Sequence, residues 1–199
     1  MRDNIKLRIF INYLDELTRK YDEIFSLKEQ LMKELQERAT YDLLTGLYNR
    51  YALFDFLERE LQRLKRKGKG KIYVVFLDLD NFKVVNDTFG HRKGDEILKA
   101  VAELLKENFR KYDIVSRFGG DEFVIVISDE NGSCEINTLL SRVRKLIEEE
   151  FSPYSLSVSY GVAVAPDEGT DAYQLIQLAD SRMYEMKNGK KGKTPPTIC

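Results

Sequence analysis

Tryptophan is absent from this 199-residue chain, histidine occurs once, cysteine twice and proline four times, and no glycine precedes Gly46. With His91 alone, and with Cys134 and Cys199 far apart, the residue types that build zinc sites or a disulfide framework are missing at usable spacings. Long hydrophobic runs are missing too. The longest, 72–77 and 123–127, fall far short of the roughly 20 residues a membrane helix needs. No secretory leader opens the sequence, so a cytoplasmic protein without membrane contact is expected. An excess of one charge is also lacking: 32 Lys and Arg face 33 Asp and Glu, for a formal net charge of −1. No global field draws such a chain to nucleic acid, and no nucleic-acid partner is expected. What is abundant is charge of both signs, 33% of residues beside 43% hydrophobic. That balance excludes disorder and collagen, and the length suits one or two domains with a buried core.

The first 45 residues carry no helix breaker. Leu7, Leu14, Tyr21 and Leu35 fall on one heptad position and Phe10, Leu17, Ile24 and Leu31 on the other, with Lys28 and Arg38 as polar exceptions. A stripe this narrow, flanked by Asp15, Arg19, Asp22 and Glu29, suits a coiled-coil seam better than the broad face of a helix folded onto a domain. Residues 1–40 are therefore expected to form a dimerisation stalk.

A second periodic segment, 47–64, places Leu53, Phe54, Leu57, Leu61 and Leu64 on one side. It dissolves into the basic, glycine-containing stretch 65–71, which reads as a solvated loop because no aromatics interleave it. Beyond it the pattern alternates: a central strand at 71–78, whose continuous apolar run suits covering on both faces, a helix at 94–109, strands at 114–118 and 122–128 joined by Gly119-Gly120, a helix at 134–150, a strand at 155–165 and a helix at 171–188. The tight hairpin requires residues that tolerate positive φ, which the two glycines provide. The order βαββαβα, with an antiparallel hairpin inside an alternating chain, predicts a ferredoxin-like α+β sheet with helices on one face. The tail beyond 187 is polar and expected to fray.

Asp78 and Asp80 stand two apart at the carboxyl end of the central strand, hence on one face, and the hairpin adds Asp121 and Glu122. Acids that directly follow apolar residues are costly to desolvate unless something compensates their charge. An all-oxygen cluster suits Mg2+ or Mn2+, and magnesium keeps positions open for phosphate oxygens. Phe82, Lys83 and Asn86 follow, and Gly90-His91 and Gly94-Asp95 open the next helix, a region favourable to anions. The Asn86 amide and the Asp95 carboxylate complement the donor-rich edge of guanine. Lys187, Lys190 and Lys191 lie where the last helix gives out.

Taken together, Asp42-Leu43-Leu44-Thr45-Gly46-Leu47-Tyr48-Asn49-Arg50, Phe76-Leu77-Asp78-Leu79-Asp80-Asn81-Phe82-Lys83, Asn86-Asp87, Gly90-His91-Arg92-Lys93-Gly94-Asp95 and Gly119-Gly120-Asp121-Glu122-Phe123 resemble the GGDEF diguanylate cyclases, over residues 40–190. The resemblance implies a palm-like nucleotidyl cyclase fold that condenses two GTP into cyclic di-GMP and releases two pyrophosphates. It divides the chain into a stalk at 1–40, a catalytic domain at 41–192 and a flexible tail at 193–199. Asp78 and Asp121 match the metal ligands, with the backbone carbonyl of Leu79, and Glu122 lies beside them. Asn86 and Asp95 match the guanine readers beside Phe82, and Lys83 and Lys187 the phosphate contacts. Where the family has arginine and asparagine after the last helix, this chain has Lys190-Lys191-Gly192, so Lys191 can neutralise a phosphate but not grip it bidentately.

Each domain of such an enzyme holds one GTP, so two must face each other, which gives the coiled coil its use in a homodimer. Arg110-Lys111-Tyr112-Asp113, with five residues between Asp113 and Gly119, resembles the family's RxxD inhibitory site. Arginine can bond guanine O6 and N7 while a carboxylate accepts from N1 and N2. Arg142 matches a second arginine that links two domains through bound product. The competing expectations are a catalytically inactive receptor for GTP or cyclic di-GMP, a coiled-coil adaptor, and another nucleotidyl cyclase or polymerase palm.

Overall fold

The computed structural model describes residues 2–130 and 135–189, with side chains from residue 12 onward. Cys134, Lys190, Lys191 and Cys199, the 193–199 tail, and the side chains of Leu7 and Phe10 lie outside the described residues. The chain divides into two units, Met1–Ala39 and Thr40–Cys199. Helix α1, Arg2–Thr40, supplies the first. Its seam side chains Leu14, Leu17, Tyr21, Ile24, Leu31 and Leu35 are exposed. Ion pairs one turn apart, Glu16 with Lys20 and Glu34 with Arg38, run along its surface. Such pairs contribute only a few tenths of a kcal/mol each, so they do not offset the exposure of so much apolar surface.

The second unit is a four-stranded antiparallel sheet in the order β2-β3-β1-β4. β1 is Lys71–Asp80, β2 Ile114–Gly119, β3 Glu122–Asp129 and β4 Ser157–Ala165. The helices are α2 (Arg50–Lys67), α3 (Phe82–Phe89), α4 (His91–Asn108), α5 (Ile136–Glu150) and α6 (Ala172–Gly189). Helix α2 starts where the Asn49 side chain accepts from Ala52 N–H at 2.9 Å, a cap that fixes the start three residues later than periodicity alone indicates.

The expectation of helices on one face is corrected. Side chains alternate across a strand, and both parities of β1 are apolar. Tyr73, Val75, Leu77 and Leu79 pack in one core with Ile97, Val101 and Leu105 of α4 and Leu140, Val143 and Ile147 of α5. Ile72, Val74 and Phe76 pack in the other with Leu53, Leu57 and Leu61 of α2 and Leu175, Ile176, Ala179 and Met183 of α6. Burying each such side chain stabilises by about 1.5–3 kcal/mol. This double covering fixes β1 as the most constrained strand, and the acids at its end inherit that rigidity.

Candidate active site

The site grows from strand register. Asp78 of β1 stands opposite Glu122 of β3 and Ser159 of β4. One residue on, Leu79 N–H donates to the Asp121 carbonyl at 3.3 Å, tying the hairpin turn to the end of β1. Of the two turn glycines, only Gly120 takes positive φ, at 51°. Gly119 closes β2 against Glu122.

Burial raises the pKa of the Asp121 carboxyl, and the nearby Asp78 charge raises it further. Glu122 is raised by burial, then by Asp78, Asp121 and Asp180. These carboxylates therefore share one electrostatic neighbourhood and repel one another. The counter-charge comes from α6, where Lys187 Nζ forms an ion pair with Asp78 Oδ1. Burial alone would lower the lysine's pKa, but the bond to Asp78, with Asp80 and Asp121 nearby, outweighs it and raises the value. Helix α6 is itself fastened by Arg182, which donates to both Glu168 oxygens at 2.8 and 2.6 Å and to the Val162 carbonyl at 2.6 Å.

Asp80 takes a different place from its neighbours. Its carboxylate accepts from the hydroxyls of Ser157 and Ser159, at 2.8 Å each for the closest oxygens. It is held by β4, and the carboxylate that joins Asp78 and Asp121 in raising Glu122 is Asp180 of α6. Sequence reasoning passed over Asp180, although it lies seven positions before Lys187 and so on the same helix face. The turn is braced from outside by Arg117. Its guanidinium donates to the Gly120 carbonyl at 2.7 and 2.9 Å and to Asp42 at 3.1 Å. Burial would raise the Asp42 carboxyl, but hydrogen bonds from Thr45 and Arg117 hold it below the usual range.

From β1 the chain turns sharply through Asn81, at φ 68°, whose amide donates to the Ser155 carbonyl at 3.0 Å. Asparagine tolerates this left-handed conformation better than most residues. The turn launches α3, a helix that the hydrophobic pattern of the sequence does not mark. Phe82 is buried in the core rather than open to a ligand, and Lys83 is exposed in the first turn. Asn86 lies towards the end of α3 with its Oδ1 buried and without a hydrogen-bond partner. Asp95 is exposed near the start of α4, just past its first turn.

At Arg110 to Asp113 the chain makes its own turn. Asp113 Oδ2 accepts from Arg110 N–H at 2.8 Å, and Asp113 N–H donates to the Arg110 carbonyl at 2.9 Å. Asp113 Oδ1 is buried without a partner, and burial raises this carboxyl. The Arg110 guanidinium donates to the Tyr112 hydroxyl at 2.8 Å. Beside it lies a cavity of about 570 Å³ lined by Arg110, Tyr112, Arg63, Glu60 and residues 128–130. Arg63, from α2, is a cation that sequence reasoning missed there, since only tertiary packing brings it in. Arg142 is exposed on α5 and does not line this cavity.

The sequence matches the family model for the diguanylate cyclase GGDEF domain over residues 39–193. The chain belongs to the GGDEF domain family. Among curated proteins, it is 38% identical to the diguanylate cyclase DgcP of Escherichia coli K12 over 180 residues, covering 84% of this chain and 52% of that protein. It is 34% identical to the signaling protein YkoW of Bacillus subtilis, covering 89% of this chain and 24% of that protein. The chain thus spans about a quarter to a half of the length of these relatives. Among solved GGDEF structures, the coiled coil and GGDEF domain of DgcB from Caulobacter crescentus, in complex with c-di-GMP, superposes with a TM-score of 0.76. That match has 28% identity and covers 92% of this chain and 97% of that one. Among the described residues, no helix is long and apolar enough to cross a membrane.

Proposed function

We propose that this chain is an active diguanylate cyclase, with Asp78, Asp121 and Glu122 at its reaction centre. The observation that carries the reading is the register that sets Asp78 against Glu122 and ties Asp121 to Leu79, with Lys187 facing them. Among the described residues no three His, Cys, Asp or Glu side chains form a complete metal cage. Two carboxylates and a carbonyl instead suit a magnesium ion that leaves positions for phosphate oxygens. The mutual repulsion of the acids fits such a cation, which Asp78, Asp121 and the Leu79 carbonyl would hold. When bound there, Mg2+ or Mn2+ would lower the pKa of a ribose 3′-hydroxyl and offset charge on the leaving pyrophosphate.

The remaining residues position substrate. Asn86 and Asp95 hold the guanine, and Lys83 and Lys187 neutralise the triphosphate, with Lys191 as a further cation. Each 3′-hydroxyl attacks the α-phosphate of the other GTP. The bond from the α- to the β-phosphate breaks, and pyrophosphate leaves. Since one domain holds one nucleotide, α1 pairs two chains as a parallel coiled coil and keeps the sites at high effective concentration. Product binds back at Arg110 and Asp113, with Arg142 reaching from another domain, and holds the reaction centres apart.

The test is to incubate the protein with Mg2+ and either GTP or ATP and to identify the products. Cyclic di-GMP from GTP alone is expected. Tight binding of GTP or cyclic di-GMP without turnover would instead assign a receptor.

A further inference from the structure

Helix α4 opens against Asn86. Gly90 N–H donates to the Asn86 backbone carbonyl at 2.9 Å, and Gly94 N–H donates to the Gly90 carbonyl at 3.3 Å. Gly94 is buried in that first turn, and its backbone does not enter the left-handed region. No conformational requirement calls for glycine here, and within helices glycine is less favourable than alanine. Its surroundings supply the reason. A β-carbon at Gly94 would lie 2.0 Å from Asn86 Oδ1, 3.0 Å from its Cγ and 3.2 Å from Phe82 Cζ. Phe82 is fixed in the core, so the Asn86 amide is the group that would move.

We propose that Gly94 is a positioning residue for base recognition: its missing side chain forms the recess in which the Asn86 amide is held. The neighbouring Asp95 then offers its carboxylate to the same base. The inference rests on the reading of Asn86 as a guanine contact. An independent observation supports it, since Asn86 Oδ1 is one of two buried side-chain polar atoms without a partner among the described residues. A buried unpaired acceptor is costly, and the recess beside Gly94 is what holds the amide there. Gly94 touches no ligand and acts through Asn86.

The experiment measures equilibrium binding of α,β-methylene-GTP, which cannot be turned over, and of its inosine counterpart, which lacks the 2-amino group. The proteins are the wild-type chain, Gly94→Ala, Asn86→Ala and the double variant, each with Mg2+. Gly94→Ala is expected to weaken the guanosine analogue by about tenfold, the scale of one lost hydrogen bond in a buried site. It should also narrow the preference over inosine and have no further effect in the Asn86→Ala background. Equal losses in both backgrounds, or unchanged affinity in Gly94→Ala, would overturn the proposal. If Asn86→Ala alone changes neither affinity nor preference, the reading of Asn86 has failed, and the proposal with it. Should Gly94→Ala not fold, Asn86→Gly is compared with Asn86→Gly/Gly94→Ala. Restored folding with equal affinity is expected, whereas continued failure to fold would show that Gly94 serves core packing instead.

Discussion

Two regions of the GGDEF unit each leave one buried acceptor without a partner, Asn86 Oδ1 beside α4 and Asp113 Oδ1 in the turn before β2. Both stand where the sequence pointed to a guanine base, one as substrate and one as product. They differ in how the cost is carried. Asn86 is neutral, so its unpaired oxygen can be relieved only by a donor, and the Gly94 recess keeps it waiting. Asp113 is ionisable, and its carboxyl is raised by burial, so a proton can relieve it as well as a ligand can. The first region is tuned by shape and the second by charge.

The largest separation of the two regions is expected on deleting residues 1–38. If turnover needs two domains, as proposed, specific activity in dilute solution should fall by roughly a hundredfold and recover with protein concentration. Cyclic di-GMP binding at Arg110 and Asp113 should weaken far less, because only the Arg142 contact from another domain depends on the stalk. Constant specific activity across a dilution series would remove the stalk from the account. Next in size, Lys187→Met should weaken GTP by about tenfold, as expected for loss of a charged phosphate contact, with no change in product inhibition. Initial rates at varied GTP and cyclic di-GMP measure both.

The converse variant, Arg110→Ala, should keep kcat and relieve a product inhibition that is noncompetitive with GTP. Progress curves with and without added product decide this, and equal inhibition in both proteins would contradict it. The smallest effect is in stability. A carboxyl whose folded pKa lies above its unfolded value binds the proton more tightly when folded. Its favourable contribution is complete below the unfolded pKa and is lost as pH rises through the folded one. Asp113→Asn should therefore melt higher than wild type at neutral pH, and the advantage should shrink as pH falls through the raised carboxyl pKa towards its ordinary value of 3.8. Thermal melts across that range test the sign.

How far the sequence foretold this arrangement depended on how local the signal was. The β1 run, the hairpin and the amphipathic helices α4 and α5 repeat their periods within a few turns, and their order emerged. Helix α3 was missed because it has eight residues and begins after Asn81 at positive φ, a combination that reads as loop. The continuous apolar run of β1 already indicated a strand covered on both faces, whereas the placement of helices on one face was overturned, because hairpin topology alone does not say where α2 and α6 pack. Among site residues, Asp78, Asp121 and Glu122 were legible as acids abutting apolar strands, and the pairing register adds their juxtaposition. Arg63, Asp180 and the Arg117 brace across Asp42 and Gly120 depend on tertiary packing. The role of Gly94 was equally hidden, because what matters there is the space beside an asparagine eight positions earlier.

The central claim is that the acids at the end of β1 and in the hairpin carry out the reaction rather than hold the fold. Wild type and Asp121→Ala should be incubated with GTP and Mg2+, cyclic di-GMP quantified, and both proteins melted. The expected result is cyclic di-GMP from wild type and a loss of roughly a thousandfold in the variant. Its melting temperature should be unchanged or higher, because burial and the Asp78 charge both disfavour the ionised Asp121 carboxylate. A folded Asp121→Ala protein that turns over GTP at the wild-type rate would contradict the account.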